Sequence, residues 1–170
     1  MGAHAFTPSA IAEIYRLKNR PVWNPLIVHV IDAESAHSLA RVWPDAAVAL
    51  ADRFWPGPLS LVVERVDRVA DAVNAGTGTV ALRVPAHPVA QALLRECGLP
   101  LAAPSANRSE QLSPTRAQHV LRSLRMCRWS WTADRKEVVG AIDCRANRPR
   151  AAPSARPALR GATTHRRPRS

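Results

Sequence analysis

The stretch LIVHVID, residues 26–32, decides the fold class because it is an apolar run of strand length that only His29 interrupts. Such a run is typical of a strand that is covered on both faces in the middle of an α/β sheet. The preceding residues, KNRPVWNP at 18–25, contain two prolines and predict an extended loop. We therefore expect residues 26–32 to form a central strand.

Strands and helices alternate along the rest of the first 124 residues. Apolar segments predict further strands at 59–66, 79–84 and 99–103. Periodicity and capping residues predict helices at 8–18, 34–42, 45–55, 88–96 and from 113 to about 124. This alternation predicts an α/β fold with a twisted open sheet, mixed or mostly parallel, and flanking helices.

Three local features refine this prediction. In the 45–55 helix, the apolar residues expected to face the core are Val48, Leu50, Ala51 and Phe54. Pro56-Gly57-Pro58 should end that helix in a rigid turn, and Gly98 should close the 88–96 helix in a left-handed conformation. A weak strand is predicted at 137–142.

The positive charge is concentrated at the end of the chain. Residues 1–121 carry ten arginines and one lysine against ten acids, whereas residues 122–170 carry twelve arginines and one lysine against three acids. We predict a folded domain at 1–124, a divergent segment at 125–145 and a disordered Arg-, Pro- and Ala-rich tail at 146–170. RNA binding by the basic tail is the alternative to plain disorder.

Composition argues against several other classes. Cys97, Cys127 and Cys144 show no CxxC spacing, so we expect reduced thiols and no metal site formed by side chains. No apolar run approaches the roughly 20 residues of a membrane span, and the first residues lack a signal-peptide pattern. We therefore expect a cytoplasmic protein without membrane contact.

Polar side chains at the ends of predicted elements suggest a polyphosphate site. Lys18 and Arg20 follow the first helix, and Ser105 and Asn107 follow the 99–103 strand. Cations beside hydroxyl and amide donors suit phosphate oxygens, and ligands commonly bind beyond the carboxyl ends of strands. The alternatives are a solvated helix end for the first pair and a simple Asx or Ser turn for the second.

Two residues inside predicted strands are also candidates. Arg83, in VALRVP, must find an anion or reach solvent because an unpaired charge inside a sheet is costly. His29 could contact a ligand, although a buried, hydrogen-bonded histidine is the alternative.

Taken together, the order and spacing of five blocks resemble the YrdC-like family of threonylcarbamoyl-adenylate synthases over about residues 2–124. The blocks are K-x-R-P-x-x-N-P-L-I-V-H-V, F-W-P-G-P-L-S-L-V, T-V-A-L-R-V-P-x-H-P, P-L-A-A-P-S-A-N-x-S and S-P-T-x-A-x-H-V. The resemblance implies a nucleotidyltransferase that joins L-threonine, bicarbonate or CO2, and ATP into threonylcarbamoyl-AMP for tRNA threonylcarbamoyladenosine (t6A) modification.

The resemblance also implies roles for individual residues. Lys18 and Arg20 match the Lys-x-Arg half of the family's signature, and Ser105 and Asn107 match the Ser-x-Asn half. The residues implied to contact ATP, with Mg²⁺ on its phosphates, are Arg20, Asn24, Thr79, Ser105, Asn107 and Ser113. Those implied to hold threonine are His29, Arg83 and the backbone at Ala103. Implied partners are tRNA or double-stranded RNA and other tRNA-modification proteins.

The sequence departs from the family pattern at both ends. Members of the family carry a strand and loop of the type P-T-E-T-V-Y-G-L just before the position of Gly2. This block is not seen here, so the fold is predicted to be incomplete at that end. Glu110 stands where the family has glycine, and the family's V-E-S-T-V-type segment is not visible after Leu124, which favours a shifted reading frame. A non-catalytic RNA-binding module and an inactive fragment are the alternative functions.

Overall fold

The computed structural model describes residues 1–107, 109, 112, 113, 118, 120 and 140–143. Its strands are β1 (Ala3–His4), β2 (Ile27–His29), β3 (Leu59–Glu64), β4 (Thr79–Arg83), β5 (Leu101–Ala103) and β6 (Gly140–Asp143). Its helices are α1 (Pro8–Lys18), α2 (Ala33–His37), α3 (Asp45–Phe54) and α4 (Pro88–Cys97), with a 3₁₀ turn at Asp71–Val73.

The strands form one mixed sheet in the order β1-β5-β2-β4-β3-β6. β2 pairs with β4 in parallel and with β5 antiparallel, and β4 pairs antiparallel with β3. The predicted α/β class and the central position of residues 26–32 are confirmed. The edge strand β1, which is only two residues long, was not predicted, and the edge strand β6 begins three residues later than expected.

One face of the sheet carries the hydrophobic core. Residues that alternate along the four central strands are at most 1% exposed on this face, namely Val28, Leu61, Val63, Val80, Leu82 and Ala102. Burial of a side chain of this size stabilises the fold by about 1.5–3 kcal/mol. The buried side chains of α1, Ile11, Ile14 and Tyr15, belong to the same core.

The opposite face is more open. Ile27 and His29 in β2 are only partly buried, so the prediction that this strand is covered on both faces is wrong. An apolar run does not reveal which of its alternating side chains lacks a covering layer.

Helix α1 begins at Pro8 after Thr7 and ends at Lys18, as predicted. The Thr7 side chain bonds with His4 Nδ1 at 3.3 Å, and makes no capping bond to the helix. Helix α4 also matches its prediction, and Gly98 closes it with φ of +60°.

Helix α2 is shorter than the predicted 34–42. After His37 the chain turns to β3, where Ala40 forms a bridge with Arg65 and the Arg41 N–H donates to the Glu64 carbonyl at 2.7 Å. Pairing with the sheet therefore outweighs helix propensity beyond residue 38, and Pro44 disfavours helical backbone at the residue before it.

Helix α3 matches its predicted range but buries different residues. Ala47 and Ala51 face the core, whereas Val48 and Phe54 are 43% and 45% exposed. Leu50 is partly buried against the core. Small side chains let the helix approach the sheet closely, so the inward stripe is the alanine pair four residues apart. The predicted inward positions of Val48 and Phe54 are wrong.

The helix predicted from 113 to about 124 and the tail at 146–170 lie mostly or wholly outside the described residues, apart from helical backbone at Gln118 and Val120. None of the helices in the described part of the chain is both long and apolar enough to cross a membrane.

Candidate active site

The open face of the sheet carries the polar side chains that the core face lacks. His29 lies opposite Arg83 in the β2–β4 register and opposite Leu101 in the β2–β5 register. Residues directly opposite each other in a sheet point to the same face. A row across three strands therefore brings His29 and Arg83 together.

Two further rows continue this face along the strands, toward the end of the sheet where β2 and β4 begin. The next row joins Ala103, Ile27 and Ala81, so small side chains flank a single larger one. The last of these rows contains Thr79, the first residue of β4, opposite Glu64, the last residue of β3. Thr79 and Arg83 are four residues apart in β4, which corresponds to about 13 Å at the usual strand rise. A ligand lying along this face could contact both ends.

Lys18 lies where the end of α1 meets the segment after β5. Its side chain is fully buried, and Nζ donates a hydrogen bond to the carbonyl oxygen of Ser105. The Lys18 carbonyl in turn accepts from the Ser109 N–H at 3.3 Å. The alternative of a solvated helix end is therefore wrong for Lys18. Its ammonium instead joins the Lys-x-Arg and Ser-x-Asn segments of the predicted phosphate site through the hydrogen bond to Ser105.

Arg20 and Asn24 form the second part of this cluster. The Arg20 guanidinium donates to the Asn24 carbonyl at 3.0 Å, to Asn24 Oδ1 at 2.6 Å and to the Pro25 carbonyl at 2.8 Å. The Tyr15 hydroxyl also donates to the Asn24 carbonyl, at 3.0 Å. No carboxylate in the described ranges forms an ion pair with Arg20. These bonds hold a cation in the loop just before β2.

The segment after β5 has its own side-chain contact. The exposed Ser105 hydroxyl donates to Oδ1 of the buried Asn107 at 2.5 Å. Together with the Lys18 bond, this contact joins Lys18, Ser105 and Asn107. Arg20 lies two residues after Lys18 in the chain, and its own side-chain bonds go to Asn24 and Pro25. The turn alternative remains compatible with the Ser105–Asn107 contact, which spans only two residues.

The cluster lies at a different end of the strands from the one predicted. Lys18, Arg20 and Asn24 precede the amino end of β2, whereas Ser105 and Asn107 follow a carboxyl end, that of β5. These segments meet because β5 runs antiparallel to β2. The expectation of carboxyl ends throughout assumed parallel neighbours and is wrong for β2.

Arg83 is held by a tight turn. The residue is 8% exposed, and its Nε donates to the Gly57 carbonyl at 2.9 Å. The Gly57 N–H donates to the Val84 carbonyl at 2.8 Å, so the turn is bonded to β4 on both sides. A Cβ at Gly57 would lie 2.1 Å from the Phe54 carbonyl oxygen. The turn that the sequence predicts as a simple stop therefore also orients Arg83.

His29 is uncharged at neutral pH. Its pKa is lowered to about 4, mainly by burial and also by the nearby Arg83 charge, while backbone hydrogen bonds with Leu101 and Ile27 partly oppose the shift. Its Nδ1 atom is buried and has no hydrogen-bond partner in the described part of the structure. The alternative of a buried, hydrogen-bonded histidine stays open, and the unpartnered Nδ1 could contact a ligand or a water.

The remaining predicted residues differ in their placement. Thr79 is buried at the start of β4, with its hydroxyl 2.8 Å from that of Thr77. Ala103 lies opposite Ile27, within the small-residue row. Ser113 is exposed, and no hydrogen bond joins it to the other described candidates. The sequence analysis assigned no role in the site to Tyr15, Gly57 or Glu64. Among these three, only Gly57 has a sequence signal, which is its place in the F-W-P-G-P block.

A metal ion bound by side chains alone is not indicated. Within the described ranges, no group of three or more His, Cys, Asp or Glu side chains could hold one. The Glu64 carboxylate beside Thr79 fits a cation that arrives with a phosphate ligand, because Mg²⁺ commonly takes one carboxylate together with phosphate and water oxygens.

Comparison with known proteins gives consistent results. Threonylcarbamoyl-AMP synthase from Bacillus subtilis (strain 168) is 48% identical over 125 residues, covering 73% of this chain and 36% of the relative. The crystal structure of Pyrococcus abyssi Sua5 complexed with L-threonine matches with a TM-score of 0.70 and 44% identity, covering 72% of this chain and 36% of that one.

A more distant match concerns the fold alone. The structure of Escherichia coli YciO has a TM-score of 0.64 at 19% identity, covering 84% of this chain and 64% of that one. The chain spans about a third of the length of the first curated relatives that it matches.

The family model for Sua5, YciO and YrdC proteins, described as "Telomere recombination", matches residues 1–139. The match covers most of the chain and includes every strand up to β5 and the candidate site. The chain therefore belongs to the Sua5/YciO/YrdC family.

Proposed function

We propose that this chain forms threonylcarbamoyl-AMP and pyrophosphate from L-threonine, bicarbonate or CO2, and ATP, as a nucleotidyltransferase. The observation that carries the proposal is the arrangement of the open face. Arg83 and His29 lie in one row, Thr79 lies about 13 Å away along the same face of β4, and Lys18 and Arg20 precede the amino end of β2. The names of the relatives support the same reaction.

Threonine would bind at the row of Arg83 and His29. A guanidinium suits a carboxylate because it can donate two parallel hydrogen bonds, and the Gly57 carbonyl fixes its orientation through Nε. A neutral His29 would not repel the amino group of threonine, which must lose its proton before it attacks CO2 or bicarbonate. The backbone at Ala103 would complete the amino-acid site.

ATP would bind toward the edge of the sheet, near Arg20, Asn24, Thr79, Ser105 and Asn107, with Ser113 joining them from the following segment. The cations of Lys18 and Arg20 would offset phosphate charge. Mg²⁺ carried by the phosphates would neutralise further charge, with Glu64 within reach as a ligand.

The reaction then depends mainly on alignment. A carbamate oxygen of N-carboxythreonine attacks the α-phosphorus, the new P–O bond forms, and the bond from that phosphorus to pyrophosphate breaks with the electron pair leaving on pyrophosphate. The small side chains of Ala81 and Ala103 leave room between the two sites for these reacting groups. Positioning and charge neutralisation supply the catalysis, and no strong base is required.

The product would be used on tRNA, so we expect the protein to act in the cytoplasm together with other tRNA-modification proteins. The net charge of residues 122–170 favours a second candidate function, binding of RNA without catalysis. Binding of a structured RNA that weakens steeply with salt, in a protein without synthase activity, would support this second function.

Pyrophosphate release from ATP tests the synthase proposal. The proposal predicts release that requires both L-threonine and bicarbonate, with threonylcarbamoyl-AMP detected by mass spectrometry. An Arg53→Ala variant is the matched control, because Arg53 is an exposed arginine on α3 outside the site. A folded chain that binds ATP and threonine but releases no pyrophosphate would contradict catalysis by this chain.

A further inference from the structure

A cleft lies at the carboxyl end of β2, beyond Val30 and Ile31. Its volume is about 400 Å³, which is within the range of small-molecule sites. None of the ten residues assigned to the candidate active site lines it. Leu99 and Pro100, which precede β5, lie on its wall, whereas Ser105 of the active site follows that strand.

The wall of this cleft combines an apolar surface with cations. Phe6, Leu39 and Leu94 contribute apolar side chains, and Arg68 and Arg95 contribute guanidinium groups. Ser35 and Ser38 add hydroxyl groups, and none of the described lining residues is acidic. Ligand sites are typically apolar with a few polar groups that fix orientation, and here those groups favour an anion.

Arg68 is already oriented in the cleft. Its guanidinium carbon lies 5.2 Å from the centroid of the Phe6 ring, and Nη2 donates to the Ser38 carbonyl at 2.8 Å and to Ser38 Oγ at 3.0 Å. Within the described residues no carboxylate forms an ion pair with Arg68 or Arg95. A guanidinium held against a ring loses less side-chain entropy when it binds an anion than a free arginine does.

The position in the sheet is a separate argument. In α/β sheets, ligands commonly bind beyond the carboxyl ends of parallel strands. The cleft lies beyond the carboxyl end of β2, which is parallel to β4, whereas Lys18 and Arg20 of the candidate active site precede the amino end of β2.

We propose that this cleft binds a small carboxylate with an apolar body. The carboxylate contacts Arg68 and Arg95, and the apolar body packs on Phe6, Leu39 and Leu94. This inference is independent of the proposed synthase reaction, because the two sites share none of the named residues.

The probe is 4-phenylbutyrate, added to the ¹⁵N-labelled full chain and followed by amide chemical shifts. The proposal predicts saturable shifts at the cleft residues, with 4-phenylbutylamine and inorganic phosphate producing none there. Equal shifts from the amine would indicate apolar binding without charge recognition, and equal shifts from phosphate would indicate an anion site without an apolar requirement. Either result would overturn the proposal.

Two variants test the cations. Arg68→Gln and Arg95→Gln should each weaken 4-phenylbutyrate binding by about tenfold, as expected for the loss of a hydrogen bond to a charged group. Arg53→Gln is the matched control, because Arg53 lies 5.8 Å from the Phe54 ring but outside the cleft. Within the described residues the Arg95 side chain forms no hydrogen bond or ion pair, so its variant stays interpretable if Arg68→Gln fails to fold. Unchanged affinity in a folded Arg95→Gln protein would overturn its assigned contact, and unchanged affinity in both variants would overturn the site.

Discussion

Replacing Arg83 with alanine tests the proposed amino-acid site. The guanidinium would lose its contact with the threonine carboxylate, and a hydrogen bond to a charged group contributes about 1.5–3 kcal/mol. At 1.4 kcal/mol per factor of ten, this loss predicts that KM for threonine rises by roughly 10- to 150-fold. KM for ATP should change little, because Thr79, the proposed ATP contact on β4, lies about 13 Å from Arg83 along the strand.

The same substitution has two structural consequences. The buried Gly57 carbonyl loses its Arg83 partner, which costs about 1–3 kcal/mol of unfolding free energy. The Arg83 charge lowers the pKa of His29, so its removal should raise that pKa from about 4 toward the ordinary value of 6.5.

Steady-state pyrophosphate release at varied threonine and ATP measures the first effect, and NMR titration of the His29 ring measures the last. Arg53→Ala should leave both KM values unchanged. Equal increases in the two KM values for a folded Arg83→Ala protein, or an unchanged KM for threonine, would refute the placement of threonine at Arg83.

Three other perturbations have defined outcomes. Gly57→Ala should lower the thermal midpoint, because the added Cβ would lie 2.1 Å from the Phe54 carbonyl oxygen; an unchanged midpoint would contradict the tight turn. His29 has a depressed pKa in the folded state, so its contribution to stability is present above pH 6.5 and is lost as the pH falls toward 4, by roughly 3 kcal/mol. His29→Gln should flatten the stability profile over that interval in urea titrations, and an identical slope would argue against a buried neutral ring. Lys18→Met should raise KM for ATP at least tenfold and loosen the segment at Ser105, as increased amide hydrogen exchange would report; unchanged KM and exchange would contradict its role.

The sequence predicted the framework of this molecule well where periodicity and capping agree. The ends of α1 and α4 follow from Pro8 and Gly98, whose backbone preferences are local. The predictions failed where a tertiary contact competes with a local preference. α2 ends early because Ala40 pairs with Arg65, and α3 turns Ala47 rather than Val48 inward.

The candidate site was predictable only in part, because it too depends on contacts between distant parts of the chain. Arg83 stands out in the sequence because a charge inside an apolar strand needs a partner. The pairing of His29 with Arg83 depends on strand register, and the bond from Lys18 to Ser105 joins residues that are 87 positions apart. Neither contact produces a local pattern. The ends of predicted elements suggested that Lys18 and Ser105 belong to one site, whereas only the resemblance to the family connected His29 with Arg83 before the structure did.

The most direct test of the central claim is an NMR titration of the full chain with L-threonine and a non-hydrolysable ATP analogue. The account predicts that threonine shifts the signals of His29 and Arg83, that the analogue shifts those of Lys18, Asn24 and Ser105, and that both ligands bind together. Competition between the two ligands for one set of residues, or shifts confined to other faces of the protein, would contradict it.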